Sequence, residues 1–221
     1  MSTKSITNNI VIDNEEDGIC LMEAIKVSQG RGINFPESKI RRKTMRVNDL
    51  MNMQRELDDF IIASKGLQHK GSKDMINALF CAMFSELKEV EDAIFVGDAK
   101  CMILEEKIDV LHFLLAIGYR VDLDKVIGVK IDNIVFETTE ITSGELMFKH
   151  MVELMDSVKS YKFWSNKISD STYIVIGKWM TCFRFLWVWM LEGDEKYTNQ
   201  TIIDAYSVKY EINVQRQKDG Y

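Results

Sequence analysis

The chain is poor in residues that break helices. It has one proline, Pro36, and 12 glycines among 221 residues. β-Sandwiches and barrels need frequent turns, and turns draw on glycine and proline, so their scarcity predicts an all-α chain. Positive charge is also short: 28 Lys and Arg face 34 Asp and Glu, a net charge of −6. That excludes a broad basic face for duplex DNA, and no nucleic-acid partner is expected. An acidic protein that handles a polyanion needs a cation between them. The four cysteines (Cys20, Cys81, Cys101, Cys182) contain no CxxC pair and sit among apolar residues, so buried reduced thiols are expected rather than zinc or disulfides. The N-terminal "MSTKSITNNIVIDNEEDG" lacks a basic region followed by an apolar run, and a cytoplasmic location is expected. One long apolar run exists, "YIVIGKWMTCFRFLWVWML" at 173–191, with Lys178 and Arg184 near its middle. Charge there is costly in lipid, so a core or dimer-interface helix is expected and no membrane.

What is present is helical periodicity. A short helix over Glu15–Val27 precedes a loop, "SQGRGINFPESKIRRKT". From Val47 the residues Leu50, Met53, Leu57, Phe60 and Ile61 recur at threes and fours, marking an amphipathic helix of about 18 residues. After a turn, with Ser72 or Asp74 as candidate cap, a second helix carries Leu79, Phe80, Met83, Phe84, Leu87, Val90 and Ile94. "FVGDAK" ends it, and "ILEEKIDVLHFLL" opens a third that stops near Gly118. Short connections predict antiparallel neighbours. "KVIGVKIDNIVFETTEIT" has β-branched alternation that leaves a short strand pair open. Helices follow over "SGELMFKHMVELMDSV", over 173–191 with Trp179, Phe183, Trp187 and Met190 on one stripe, and from about Thr201 to Gln217.

Two short patterns carry chemistry. "SELKE" places Glu86 and Glu89 three apart, and "EEKID" places Glu106 and Asp109 three apart. Residues three apart share a helix face. Residues 90–105 between the pairs suffice to end one helix and start its antiparallel neighbour, so four carboxylates can converge. Two like charges ~4 Å apart repel by about 4 kcal/mol at an effective dielectric near 20, so such a cluster calls for protons or cations. Oxygen ligands beside room for water suit Mg²⁺, which completes its shell with substrate phosphates. A lone ExxE is most often a solvated face. Two at this spacing within apolar helices mean more. Glu91 and Glu105, near Lys88 and Lys107, read as surface. His112, three after Asp109, reads first as a core histidine. In the last helix Tyr206, Lys209, Asn213, Arg216 and Gly220 are spaced three, four, three and four, a polar stripe suited to phosphate and sugar oxygens.

ExxE, then ExxD followed by "VLHF", then a closing "YxxKxxxNxxRQxxGY", resembles the all-α dimeric dUTPases, which belong with the MazG-like all-α NTP pyrophosphatases. "LMNMQRELDDFI" resembles that family's first motif, LQxxLND. The resemblance covers about 47–118 and 201–221. It implies an antiparallel helical bundle of the all-α NTP pyrophosphatase type, with residues 1–44 as an extension and 45–221 as the domain, a helical region inserted at about 125–195. It also implies a homodimer, of phage type, in the host cytoplasm. It implies Mg²⁺-dependent cleavage of dUTP to the monophosphate and pyrophosphate. Glu86, Glu89, Glu106 and Asp109 would hold the metal, and Glu86 would orient the attacking water. Lys209 and Arg216 would neutralise phosphates, Tyr206 and Asn213 would bond phosphate or sugar, Gln54 would read the base, and His112 would lie near the deoxyribose. Departures fall on base and sugar positions. Asp58 stands where the family has Asn, Tyr210 follows Lys209 where Asn is usual, and the loop aromatic motif FKxW is missing. An acid at position 58 could accept from the 4-amino group of cytosine. That keeps open a dCTP-selective enzyme or a broad MazG-like pyrophosphatase. A non-catalytic helical binding protein is the reading from outside enzymology, and membrane association through 173–191 is a further one.

Overall fold

A computed structural model of the protein describes residues 45–65, 73–131, 142–160, 170–195 and 197–220. The expected helix Glu15–Val27, the loop after it, the Ser72 cap and Cys20 lie outside them. The elements are α1 (Val47–Ser64), α2 (Lys73–Val96), α3 (Lys100–Arg120), a 3₁₀ turn at Leu123–Lys125, α4 (Gly144–Ser160), α5 (Asp170–Leu191) and α6 (Asn199–Lys218). No strand occurs among the described residues. The candidate strand segment contributes one isolated antiparallel bridge, Arg46 to Lys130, flanked by Val47 N–H to the Val129 carbonyl and Ile131 N–H to the Met45 carbonyl, both 3.0 Å. Residues 132–141 of it lie outside the description.

Each helix buries the face that its apolar spacing marks. On α2 that face is Ile76, Phe80, Met83, Leu87 and Val90, one stripe at fours and threes. Gly97, at φ +77°, turns the chain, so α3 returns antiparallel along α2. Helix α3 is the hub. It packs on α1, α2, α5 and α6, and α4 lies across α2 and α5. Its second half, Leu114–Tyr119, is buried on every side. α1 starts where Asp49 accepts from the Arg46 N–H at 2.8 Å. α6 starts with a reciprocal cap, in which Thr198 and Thr201 each bond the other's backbone N–H at 3.2 Å.

The aromatic stripe of α5 lies within the core. Trp179, Phe183 and Trp187 stack with centroids 5.2 and 5.4 Å apart, and all three are fully buried. The Trp179 indole donates to the Leu114 carbonyl at 2.9 Å, and Trp187 donates to Asn199 Oδ1 at 2.8 Å. Gly118 permits this approach, because a Cβ there would stand 2.8 Å from Met51 and 2.9 Å from the Trp179 ring. α5 is long and apolar enough to cross a membrane by length and composition. Here its apolar residues from Val175 onward mostly meet the other helices, while Gly177, Thr181 and Arg184 line an exposed edge and Lys178 pairs with Glu153 at 2.6 Å. The stripe is therefore no free dimer face. The exposed apolar residues are elsewhere, including Phe95 and Val96 at the end of α2 and Tyr173 and Ile174 at the start of α5.

Expectations at four residues need correction. Lys107 is buried, with its ammonium 2.8 Å from the Trp189 carbonyl and 4.3 Å from the centre of the Trp189 ring, so it serves the end of α5 rather than a surface acid. Burial lowers it to about 8. Glu105 is half-buried and pairs with Lys209 at 3.0 Å. Cys182 is a buried free thiol, but Cys81 is exposed, because it follows Phe80 on the outward side of α2, and Cys101 is disulfide-bonded.

Candidate metal centre and nucleotide site

The antiparallel return of α3 along α2 brings the two acidic patterns face to face. One carboxylate oxygen from each of Glu86, Glu89 and Glu106 falls within 4.8 Å of the other two. Glu86 and Glu106 are half-buried and Glu89 is exposed, so the cluster opens to solvent at one side. Asp109 stands one turn beyond Glu106 but is held by Lys209, whose ammonium lies 2.7 Å from its carboxylate. Lys209, from α6, bridges Asp109 and Glu105.

The electrostatics follow from crowding. Burial, then the charges of Asp109, Glu89 and Glu106, raise the Glu86 carboxyl from 4.5 to about 7, with Lys209 opposing. Burial and then Asp109 raise Glu106. Burial raises Asp109 too, against the Lys209 charge and hydrogen bond. At Lys209 burial works against the charge, but Asp109 and Glu105 outweigh it and hold the ammonium above its usual range. Three carboxylates thus share one space with too little positive charge. Such a donor set fits a hard divalent cation, which takes oxygen ligands and favours their ionised form.

Beside the acids lies a buried polar chain that joins α1, α3 and α6. Gln54 and Asp58, four apart on α1, bond each other, Gln54 Nε2 to Asp58 Oδ1 at 2.8 Å. Asp58 Oδ2 accepts from the Tyr119 hydroxyl at 2.6 Å and from Arg120 Nη2 at 2.8 Å. Gln54 Oε1 meets His112 Nδ1 at 2.6 Å and the Tyr206 hydroxyl at 3.2 Å. The His112 and Tyr206 rings stack at 4.5 Å. Burial, helped by the Lys209 charge, lowers His112 to about 3, so it is neutral at physiological pH. Burial and then Asp58 push the Tyr119 and Tyr206 phenols up.

The structure therefore gathers Glu86, Glu89 and Glu106, sets Asp109 and Lys209 as a pair beside them, and ties Gln54, Asp58, His112 and Tyr206 into one network. Tyr206 is fully buried, so the stripe on α6 runs from the core outward, through half-buried Asn213 to exposed Arg216, whose charge still acts on Asp109. Sequence reasoning missed Tyr119, Arg120 and Glu105. A usable signal existed: an Arg in the last turn of an apolar helix needs a buried acid, and Asp58 stood unpaired. A cavity of ≈ 190 Å³ on another face of α3, lined by Leu104, Lys107, Met190 and Tyr197 among others, contains none of these residues.

Residues 46–151, just under half of the chain, match the family model described as dUTPase, which together with the helical fold supports an all-α protein of the dUTPase family. The match spans α1, α2, α3 and the start of α4, and so includes the four acids, Gln54, Asp58 and His112. That places it with nucleotide pyrophosphatases, enzymes that bind nucleotides and usually use a divalent metal. No curated protein and no solved structure matches the chain significantly.

Proposed function

We propose that the protein hydrolyses dUTP to dUMP and pyrophosphate with Mg²⁺. The observation that carries this reading is the convergence of Glu86, Glu89 and Glu106 within 4.8 Å, next to a half-buried lysine. Those three, with Asp109 beside them, would hold the cation, which when bound neutralises triphosphate charge and favours the attacking hydroxide. Water adds at the α-phosphorus, the bond to the bridging oxygen breaks, and pyrophosphate leaves. Glu86, the most strongly raised of the acids, orients the water and takes its proton at a carboxylate oxygen. Lys209 exchanges part of its bonding to Glu105 and Asp109 for phosphate oxygens, and Arg216 meets the outer phosphates at the end of α6. Asn213 and Tyr206 complete the phosphate and sugar wall, and Gln54 and His112 face the nucleoside.

The same residues accommodate dCTP, and Asp58, its carboxylate engaged by Gln54, Tyr119 and Arg120, bears on that choice through Gln54 and His112. The protein acts as a homodimer, supported by exposed Phe95 and Val96, in the cytoplasm, that of the host if it is phage-encoded. Pyrophosphate release from dUTP, dCTP, dTTP and UTP, with magnesium and with chelator, tests the reading. Turnover of dUTP above the others supports it. Release from dCTP alone assigns a dCTP pyrophosphatase, equal release from all four assigns a MazG-like activity, and no release from any assigns a non-catalytic binding protein.

A further inference from the structure

One acceptor site of the polar chain has no role so far. His112 is buried, and its Nε2 finds no hydrogen-bond partner among the described residues. The other members of the chain determine what that atom can do. Arg120 can only donate, and it donates to Asp58. The Asp58 carboxylate can only accept, so the Gln54 atom 2.8 Å from it must be the amide nitrogen. The amide oxygen of Gln54 then faces His112 Nδ1. An oxygen there requires a donor, so Nδ1 carries the proton. In a neutral ring the other nitrogen, Nε2, is then a bare acceptor. Donation thus converges on Asp58, from Arg120 and Tyr119 on one side and from His112 through Gln54 on the other.

We propose that Arg120, Tyr119 and Asp58 are positioning residues that fix His112 as an Nδ1–H imidazole, so that its Nε2 accepts a hydrogen bond from an N–H or O–H of the bound nucleoside. The ring's place supports the second part. His112 is one turn beyond Asp109 on α3, and Tyr206, stacked on it, is one turn before Lys209 on α6. The orphaned acceptor therefore lies one helical turn from the Asp109–Lys209 pair. The ligand half of this inference rests on the proposed nucleotide reading, and the tautomer half does not.

Asparagine at position 58 gives a sharp prediction. Its amide oxygen must face Arg120, which cannot accept, so its amide nitrogen must face Gln54. Gln54 then turns over, its nitrogen faces His112 Nδ1, and the imidazole switches to Nε2–H. Asp58→Asn thus reverses the two bonds that link position 58, Gln54 and His112 and leaves those from Arg120 and Tyr119 as they are, with almost no change in volume.

Long-range ¹H–¹⁵N NMR of histidine-labelled protein reads the tautomer directly. The resonances absent from His112→Gln should show protonated Nδ1 and bare Nε2 in the wild type, and the reverse in Asp58→Asn. Tyr119→Phe, which removes one bond and keeps the ring, should retain the wild-type tautomer. An Nε2–H form in the wild type, or an unchanged tautomer in Asp58→Asn, overturns the proposal. On saturation with α,β-imido-dUTP the wild-type Nε2 signal should shift toward that of a hydrogen-bonded acceptor. In turnover, Asp58→Asn should raise KM at least tenfold with kcat changed less than threefold. A bound analogue that leaves Nε2 unshifted overturns the ligand half. Failure of the analogue to bind at all overturns both that half and the proposed function, while the tautomer result stands independently.

Discussion

Replacing Glu86 by glutamine should stabilise the metal-free protein, by an amount that grows as pH rises from 4.5 through about 7. The Glu86 carboxyl is raised from 4.5 to about 7 by burial and by the charges of Asp109, Glu89 and Glu106. The folded state therefore holds this proton more tightly than the unfolded chain does. The stability so gained is complete below the unfolded value of 4.5 and is lost as pH rises through about 7. The full rise corresponds to at most ~3.4 kcal/mol at ~1.36 kcal/mol per tenfold. Screening at a half-exposed carboxyl brings it to about 1–1.5 kcal/mol. For a chain of this length that is a Tm increase of about 2–6 °C. Thermal melts in chelator at pH 5 and pH 8 check it. The variant should melt higher than wild type at pH 8 and level with it at pH 5. Excess magnesium should reverse the order at pH 8, because the wild type gains a ligand that the variant binds poorly. A variant that melts no higher at pH 8, or equally higher at both pH values, would refute the crowding of acids at this site.

Other perturbations test the packing and the network. Gly118→Ala gains about 1 kcal/mol of helix propensity but drives a methyl into Met51 and Trp179, where overpacking costs about 1–3 kcal/mol. Urea unfolding should show net destabilisation, and a stabilised variant would contradict the close approach of α3 and α5. His112 is lowered to about 3, so the unfolded chain takes its proton first, and stability should fall as pH drops below about 6.5. His112→Gln should flatten that slope in urea midpoints measured from pH 7 to 4, and an equal slope in both proteins would argue against a buried neutral ring. Lys209→Met leaves Asp109 and Glu105 without their partner, a loss of about 2–3 kcal/mol for a half-buried pair, read by urea unfolding. Its KM should also rise about tenfold, and wild-type stability and KM together would remove Lys209 from the site.

The helices were legible because their apolar residues repeat at threes and fours on one side. The stripe from Phe80 to Val90 on α2 fixed which side faces inward, and with it the direction of Glu86 and Glu89. The acids of α3 were readable for the same reason. Less was visible where one residue type serves two environments. Lys107 and Lys209 look alike in sequence, yet one meets the carbonyl end of α5 and the other the site, a distinction set by which distant helix lies opposite. The aromatic stripe of α5 promised an interface, but apolar periodicity does not distinguish a partner subunit from a neighbouring helix. Asp58 suggested a base contact because its partners, Tyr119 and Arg120, lie far along the chain at the end of α3.

Titration of manganous ion against the purified protein, followed by the loss of its free electron paramagnetic resonance signal, tests the cation site most directly. Wild type should bind the ion, magnesium should displace it, and Glu106→Gln and Glu89→Gln should each weaken binding at least tenfold. Binding that is absent from the wild type, or unchanged by both substitutions, would contradict a metal centre between α2 and α3.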